Sequence, residues 1–288
     1  MYREIVTHNR RAAFVILIDC SLSMLQPSHL GNLNRTKMEV AELVCNLMID
    51  ELTLRAAKID KVRNYYDIAV LGYSQNEVVS LLPGDSPDFI AINRLAEMMP
   101  MPRTIYGKFT KPNGTVVDAP ITYHPWIDPH ASGSTPMFEA LATTYTLVDT
   151  WCRDIDNRYS FPPIVINITD GAGNDSDSAA LIDMATRIQS THTEDGNTLL
   201  FNLLLTSDPL NKRMAMPNNR TFKSKSRELM TLFKMSSVIP KCLEPKIAYV
   251  MNIKRRGPYR ALLKDFSPCD ISSILSTGTE SVNCVRRF

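Results

Sequence analysis

Short apolar runs alternate along the chain with longer segments in which apolar residues recur every three or four positions. Residues 14–18 form an uninterrupted run of Phe, Val, Ile and Leu, which is typical of a strand buried on both faces of a parallel sheet. Further strands are predicted at 66–73, 77–82, 163–169, 198–206 and 247–253. A short polar turn joins the first two of these and predicts an antiparallel hairpin.

Helical spacing of apolar residues follows most of the predicted strands. Thr36 and Glu39 have the spacing of a capping box, so the first long helix is expected to begin at Thr36. Further helices are predicted at 136–154, 177–190 and 225–238. This alternation of strands and helices predicts an α/β fold, a doubly wound sheet with helices on both faces.

Residues from about 98 to 131 add to the minimal alternating pattern. Two apolar arms flank Asn113 and Gly114, a pair that favours a tight hairpin turn, so we expect an inserted β-hairpin. Its return arm leads through Trp126 towards Thr135, which would put the insertion beside that loop. Its aromatic residues could contact a partner or pack the hairpin onto the domain, and both interpretations stay open.

Polar residues cluster where predicted strands end. Asp19, Ser21 and Ser23 follow the first strand, Asp170 follows the strand at 163–169, and Thr135 lies in a Ser-Gly-Ser-Thr-Pro loop before a helix. The carboxyl ends of parallel strands share one edge of the sheet, where ligands bind. Carboxylate and hydroxyl oxygens suit a hard divalent cation such as Mg²⁺.

These three motifs, in this order, resemble the metal-ion-dependent adhesion site of von Willebrand factor A domains, over roughly residues 12 to 210. The resemblance implies a mostly parallel six-stranded sheet of order 3-2-1-4-5-6 with one antiparallel strand. It implies Mg²⁺, with Mn²⁺ or Ca²⁺ as alternatives, and a partner protein that presents an Asp or Glu to the metal, without a reaction. The implied ligands are Asp19, Ser21, Ser23, Thr135 and Asp170.

The chain departs from that family in three places. Cys20 and Leu22 stand where the family has small residues, and residues 26–35 lengthen the loop before the first helix.

The segment from 255 to 278 resembles the end of bacterial stand-alone domains of the tellurite-resistance type. That resemblance implies a stress-response or phosphorylation-linked system, with a phosphatase or kinase as partner. We interpret residues 1–288 as one domain, with a core of about 12–254 and a C-terminal extension of about 255–288.

Each motif also has a local explanation. Ser and Asp after strands cap helices, Thr135 before Pro136 suits a helix start, and Asp170 before a glycine suits a turn. Asp175 and Asp177 could hold a second ion or favour a helix N-terminus.

The alternative function is a metal-dependent hydrolase or phosphatase using Asp19 and Asp170. A haloacid-dehalogenase-like phosphatase needs a carboxylate two residues after Asp19, where this chain has a serine.

Composition narrows the remaining classes. The net charge of +2 over 288 residues argues against a chain dominated by nucleic-acid binding. Basic residues between 212 and 227 could steer an acidic partner or form a solvated loop. No apolar leader or membrane-length run is present, so a cytoplasmic protein without membrane contact is expected. The six cysteines lack metal-ligand spacing, and Cys20 and Cys45 are expected to be buried.

Overall fold

The computed structural model describes residues 1–28, 35–75, 77–84, 87–110, 116–171, 173, 176–207, 213–254 and 256–265. The strands in this part are β1 Ala12–Asp19, β2 Pro27–Ser28, β3 Arg35–Thr36, β4 Tyr66–Ser74, β5 Glu77–Ser80, β6 Ile90–Ala91, β7 Arg103–Thr110, β8 Val116–Tyr123, β9 Ile164–Thr169, β10 His192–Thr193, β11 Gly196–Asn197, β12 Leu199–Leu204, β13 Met214–Ala215 and β14 Leu262–Lys264. The helices are α1 Lys37–Ala56, α2 Ile92–Glu97, α3 Met137–Arg153, α4 Ser178–Ser190, α5 Arg227–Met235 and α6 Glu244–Val250.

The central sheet has eight strands in the order β13-β14-β12-β9-β1-β4-β5, with β6 also paired to β4. Its five middle strands, from β14 to β4, are parallel, whereas β5, β6 and β13 pair antiparallel. The predicted doubly wound α/β fold is confirmed, and the first five predicted strands have the predicted order, with β14 in the sixth place. The sheet differs from the prediction in having eight strands, of which three (β5, β6 and β13) are antiparallel.

Side chains of β1 alternate between two hydrophobic layers. Phe14, Ile16 and Ile18 pack in the core that α1 covers, and Val15 and Leu17 pack on the opposite face, against α3, α4 and α5. Each fully buried apolar side chain of this size contributes about 1.5–3 kcal/mol. The uninterrupted apolar run of β1 is therefore explained by burial on both sides. No helix in the part described above is both long and apolar enough to cross a membrane.

The prediction of a sixth strand at 247–253 is wrong. Residues Glu244–Val250 form helix α6, with Pro245 in the first turn, where proline is tolerated. The last parallel strand is instead Leu262–Lys264, which pairs with β12. The sheet therefore continues into the segment that sequence patterns assigned to the C-terminal extension.

The inserted hairpin is confirmed, since β7 and β8 pair from Arg103 with Tyr123 to Thr110 with Val116. The Asn113-Gly114 turn lies outside the described residues. Asp50 on α1 accepts hydrogen bonds from the His124 backbone, from Trp126 Nε1 at 2.8 Å, and pairs with His124 Nδ1.

This anchor places the base of the hairpin along the flank of α1. Asp50 lies 13 residues after the start of the helix, which is about 20 Å along its axis. The hairpin base thus packs along α1. The expectation that the insertion stands beside the polar strand ends stays a prediction. Trp126 is buried against the domain, as the packing interpretation has it, and Tyr106 is exposed.

Candidate metal site

Two strand ends form the centre of the polar edge. Strands β1 and β9 are parallel neighbours, with Ile18 paired to Ile168, so Asp19 and Thr169 emerge side by side. The Thr169 hydroxyl donates to Asp19 Oδ2 at 2.7 Å, and the Ser21 backbone N–H donates to Asp19 Oδ1 at 2.9 Å. Both oxygens of this buried carboxylate therefore have a donor.

A line of hydrogen bonds joins four of the five predicted ligands. Ser21 Oγ lies 3.0 Å from Ser23 Oγ, and Ser23 Oγ donates to Asp170 Oδ1 at 3.0 Å. Because a hydroxyl has one hydrogen to donate, Ser21 is the donor in the first of these bonds. Together with the Asp19 contact, the line connects Asp19, Ser21, Ser23 and Asp170. Asp170 thus does more than form a turn.

The environment of Asp19 disfavours an isolated negative charge. Burial raises the pKa of Asp19 above its ordinary value, the hydrogen bonds from Ser21 and Thr169 act in the opposite direction, and the charge of Asp170 adds to the rise. A cation near Asp19 would favour its charged form. The pKa of the Cys20 thiol is likewise raised to about 12 by burial, so this neighbour stays neutral.

The loop that carries Thr135 is tied to the same edge. The Ser132 N–H donates to the Cys20 carbonyl at 2.7 Å, and the Leu22 N–H donates to the Gly133 carbonyl at 3.2 Å. Gly133 has φ of +53°, and a Cβ there would lie 2.3 Å from Cγ of Gln75. Only glycine fits this conformation and this close approach. The loop that leads to Thr135 is thus held against the turn after β1.

Lys37 is a member of this cluster that sequence patterns missed. Its Nζ lies 2.8 Å from Asp170 Oδ2 and 3.0 Å from Gln26 Oε1. The two ends of the ion pair are only 5 % and 9 % exposed. One feature of the sequence could have indicated this contact. The helix dipole disfavours a lysine in the first turn of a helix, so such a lysine is expected to have a partner elsewhere. The predicted capping box of Thr36 and Glu39 is present in both directions.

The residues of the cluster fit a hard divalent cation in donor type. The predicted ligands supply oxygen atoms alone, from two carboxylates and three hydroxyl residues, which suits Mg²⁺. The two carboxylates and the Lys37 ammonium carry a net charge of −1. Within the described ranges, no group of three or more His, Cys, Asp and Glu residues is suited to a metal. The hydroxyl-rich cluster is a different kind of site. The feature that does not suit a cation is the Lys37 ammonium, which is paired with Asp170.

The surroundings of the cluster are partly apolar and partly basic. Leu22 and Leu25, in the 3₁₀ turn Leu22–Leu25 after β1, are 55 % and 52 % exposed. Arg227 donates to Ser178 Oγ at the start of α4, which follows β9, so this part of the basic segment lies at the same edge. Lys212 falls outside the described residues. The exposed basic members are Arg213, Arg220, Lys223, Lys225 and Arg227.

The acidic residues beyond Asp170 have a local role where they are described. The Asp177 side chain accepts from the Ala180 N–H at 2.8 Å and caps α4. This bears out the helix-start interpretation for Asp177. Asp175 lies outside the described residues, as does the tail segment 266–288 that carried the tellurite-resistance resemblance.

No protein-family model matches this chain, and no curated protein matches it. Among solved structures, it is similar to a von Willebrand factor type A protein from Catenulispora acidiphila, with 18 % identity and a TM-score of 0.40 over 67 % of this chain and 33 % of that one. The PilB minor pilin from Streptococcus sanguinis has 11 % identity and a TM-score of 0.37 over 68 % and 50 %. The vWF domain of the type V pili tip protein Mfa5 from Porphyromonas gingivalis has 12 % identity and a TM-score of 0.33 over 94 % and 76 %.

The chain thus spans a third of the first of these solved chains and half of the second. At these identities and TM-scores, the similarity assigns no function to this chain.

Proposed function

We propose that the edge cluster binds a divalent cation and, through it, an acidic side chain of a partner protein. The observation that carries this proposal is the line of hydrogen bonds from Asp19 through Ser21 and Ser23 to Asp170. It brings oxygen ligands from segments 147 residues apart to one point. Mg²⁺ suits this donor set, with Mn²⁺ or Ca²⁺ as alternatives, and Asp19, Ser21, Ser23, Thr135 and Asp170 would hold it.

Charge and surface support the choice of partner. A dication added to the two carboxylates and Lys37 would change the net charge of the cluster from −1 to +1, which one partner carboxylate would neutralise. The exposed basic residues near α4 and α5 would steer an acidic partner to this edge. Leu22 and Leu25 offer apolar contact beside it, so the recognised acidic residue should be flanked by apolar side chains.

The cluster supports binding better than catalysis. Position 21 is a serine, so the chain lacks the carboxylate two residues after Asp19 that a haloacid-dehalogenase-like phosphatase uses as acid and base. We therefore propose a module that performs no reaction. A stress-response or phosphorylation-linked system, with a phosphatase or kinase as the partner, is the setting that the sequence resemblance suggests.

A thermal-shift titration with MgCl₂ tests the metal step. Binding to the folded state alone stabilises a protein by about 2.7 kcal/mol at a hundred times the dissociation constant. We expect the melting temperature to rise for the wild type and to stay unchanged for Asp19→Asn and Thr135→Ala. The control Asp60→Asn, an exposed acid before β4 at the opposite end of the sheet, should respond as the wild type does. If the melting temperature of the wild type does not change with Mg²⁺, Mn²⁺ or Ca²⁺, the metal site is refuted.

The partner step is tested with displayed peptides. Binding should favour peptides with one Asp or Glu between apolar residues, should require Mg²⁺, and should vanish with EDTA. Peptides in which Asn or Gln replaces the acid should not bind. Equal binding of both sets, with or without the ion, would refute recognition through the metal.

A further inference from the structure

The position of Lys37 is unusual for a lysine. It is the first residue of α1, where the helix dipole disfavours positive charge, and its side chain is almost fully buried. Burying an ammonium is costly unless it is paired and hydrogen-bonded. Neither the helix dipole nor contact with solvent therefore stabilises the charge of Lys37 at this position.

Two contacts hold the Lys37 ammonium at the edge cluster. Its Nζ donates to Asp170 Oδ2 at 2.8 Å and to Gln26 Oε1 at 3.0 Å. The Lys37 backbone N–H also donates to the Gln26 carbonyl, so the base of the side chain is fixed to the same residue as its tip. The ammonium is thus aimed at Asp170 from a rigid support.

Asp170 has both of its oxygens in use. Oδ1 accepts from Ser23, a predicted ligand, and Oδ2 accepts from Lys37. A hydroxyl can keep donating to a carboxylate while its own lone pairs face a cation. An ammonium has no lone pair and repels a second cation. A cation that approaches Asp170 therefore meets Lys37 as a rival for the same carboxylate.

We propose that Lys37 is a tethered cation that competes with the divalent ion for Asp170. This inference rests on the proposed metal site and adds a residue that sets its affinity. Ion binding must loosen the ion pair between Lys37 and Asp170. The protein therefore binds divalent ions more weakly than the same oxygen ligands would without the Lys37 charge.

Calorimetric titration with MnCl₂ tests the competition. Lys37→Gln removes the charge and keeps an amide that can donate to Asp170, so the variant should fold. We expect it to bind Mn²⁺ at least tenfold more tightly than the wild type. Lys61→Gln is the matched control, since Lys61 is an exposed lysine before β4 at the opposite end of the sheet. Its affinity should stay within about twofold of the wild type.

The outcomes separate this inference from the proposed function. If the wild type binds Mn²⁺ and Lys37→Gln binds equally or more weakly, the competition is refuted and the metal site stands. If neither protein binds, the metal site fails and the inference fails with it. If Lys37→Gln is unfolded without the ion, the inference requires Mn²⁺ to refold it, and failure to refold contradicts it.

A second measurement follows the Lys37 ammonium itself. In protein labelled at the lysine Nζ atoms, the Lys37 signal, assigned by its loss in Lys37→Gln, should shift when diamagnetic Mg²⁺ is added. The Lys61 signal should stay in place. A Lys37 signal that stays unchanged while Mg²⁺ binds would overturn the proposal.

Discussion

Ser23 donates a hydrogen bond of 3.0 Å to Asp170, although 147 residues separate them in the chain. The contact joins the turn after β1 to the loop after β9, and both residues were predicted as metal ligands from their positions after strands. Two strand ends that are parallel neighbours bring their following residues to one place. The hydrogen bond is the point at which these two motifs meet.

Replacing Ser23 by alanine should weaken ion binding. The change removes one neutral oxygen ligand and the donor to Asp170, so we expect about a tenfold loss of Mn²⁺ affinity, or about 1.4 kcal/mol. Calorimetric titration measures it. The exposed Ser190, at the far end of α4, provides the control Ser190→Ala, which should bind as the wild type does. Equal affinity of Ser23→Ala and the wild type would remove Ser23 from the ligand set.

A buried hydrogen-bonded line lies under the site and should matter for stability. The Tyr73 hydroxyl donates to Asn167 Oδ1 at 2.9 Å, Asn167 Nδ2 donates to Asn202 Oδ1 at 3.0 Å, and Asn202 Nδ2 donates to Ser236 Oγ at 3.0 Å. Asn167→Ala removes the Oδ1 acceptor of the Tyr73 hydroxyl and the donor to Asn202 Oδ1 in the core. We expect the free energy of unfolding to fall by about 2–4 kcal/mol.

Urea unfolding monitored by circular dichroism measures this loss. The exposed Asn219 gives the control Asn219→Ala, for which a change within about 0.5 kcal/mol is expected. A loss for Asn167→Ala no larger than that of the control would show that the buried line contributes little.

Asp67 predicts a pH dependence away from the site. Burial raises the pKa of Asp67 above its ordinary 3.8, more than the Trp151 hydrogen bond and the Arg11 charge lower it. The folded state therefore holds the proton more tightly than the unfolded state. The contribution of Asp67 to stability is largest below pH 3.8 and falls as the pH rises from there through the raised pKa.

Asp67→Asn lacks this titration, so its stability relative to the wild type should rise between about pH 4 and pH 7. Urea unfolding at several pH values checks the trend, with Asp60→Asn as the exposed control. A difference between Asp67→Asn and the wild type that is constant or shrinks with pH would contradict the prediction.

Asp50 should control the inserted hairpin without affecting the ion. It accepts from the His124 backbone at 2.9 Å and from Trp126 Nε1 at 2.8 Å. Asp50→Ala should speed amide hydrogen exchange at the paired residues of β7 and β8. The melting-temperature response to Mg²⁺ should remain, because Asp50 lies about 20 Å along α1 from Lys37. Loss of the Mg²⁺ response would show that the hairpin belongs to the site.

Most of the fold was predictable because β1, β4, β9 and β12 are long, buried and apolar, and their pattern depends on local spacing. The final strand was missed because Leu262–Lys264 is too short to show a pattern. The apolar run near Ile247 resembles a strand, yet Pro245 and the packing of one helical face make it α6. Tertiary contacts decide the structure of short segments.

The candidate site was predictable to the extent that its residues follow strands. Asp19, Ser21, Ser23 and Asp170 were found by this rule, and hydrogen bonds join them. Lys37 was missed because its contact with Asp170 spans 133 residues and depends on where a flexible side chain turns. Its unfavourable position relative to the helix dipole points to a role at the site only after the cluster is known.

Anomalous scattering from crystals grown with MnCl₂ shows whether the edge cluster holds a divalent ion. We expect an anomalous peak in contact with the hydroxyls of Ser21 and Ser23, and no such peak in Asp19→Asn crystals. A map without a peak at this edge, with Ser23 still donating to Asp170 and Lys37 still paired with it, would refute the metal site.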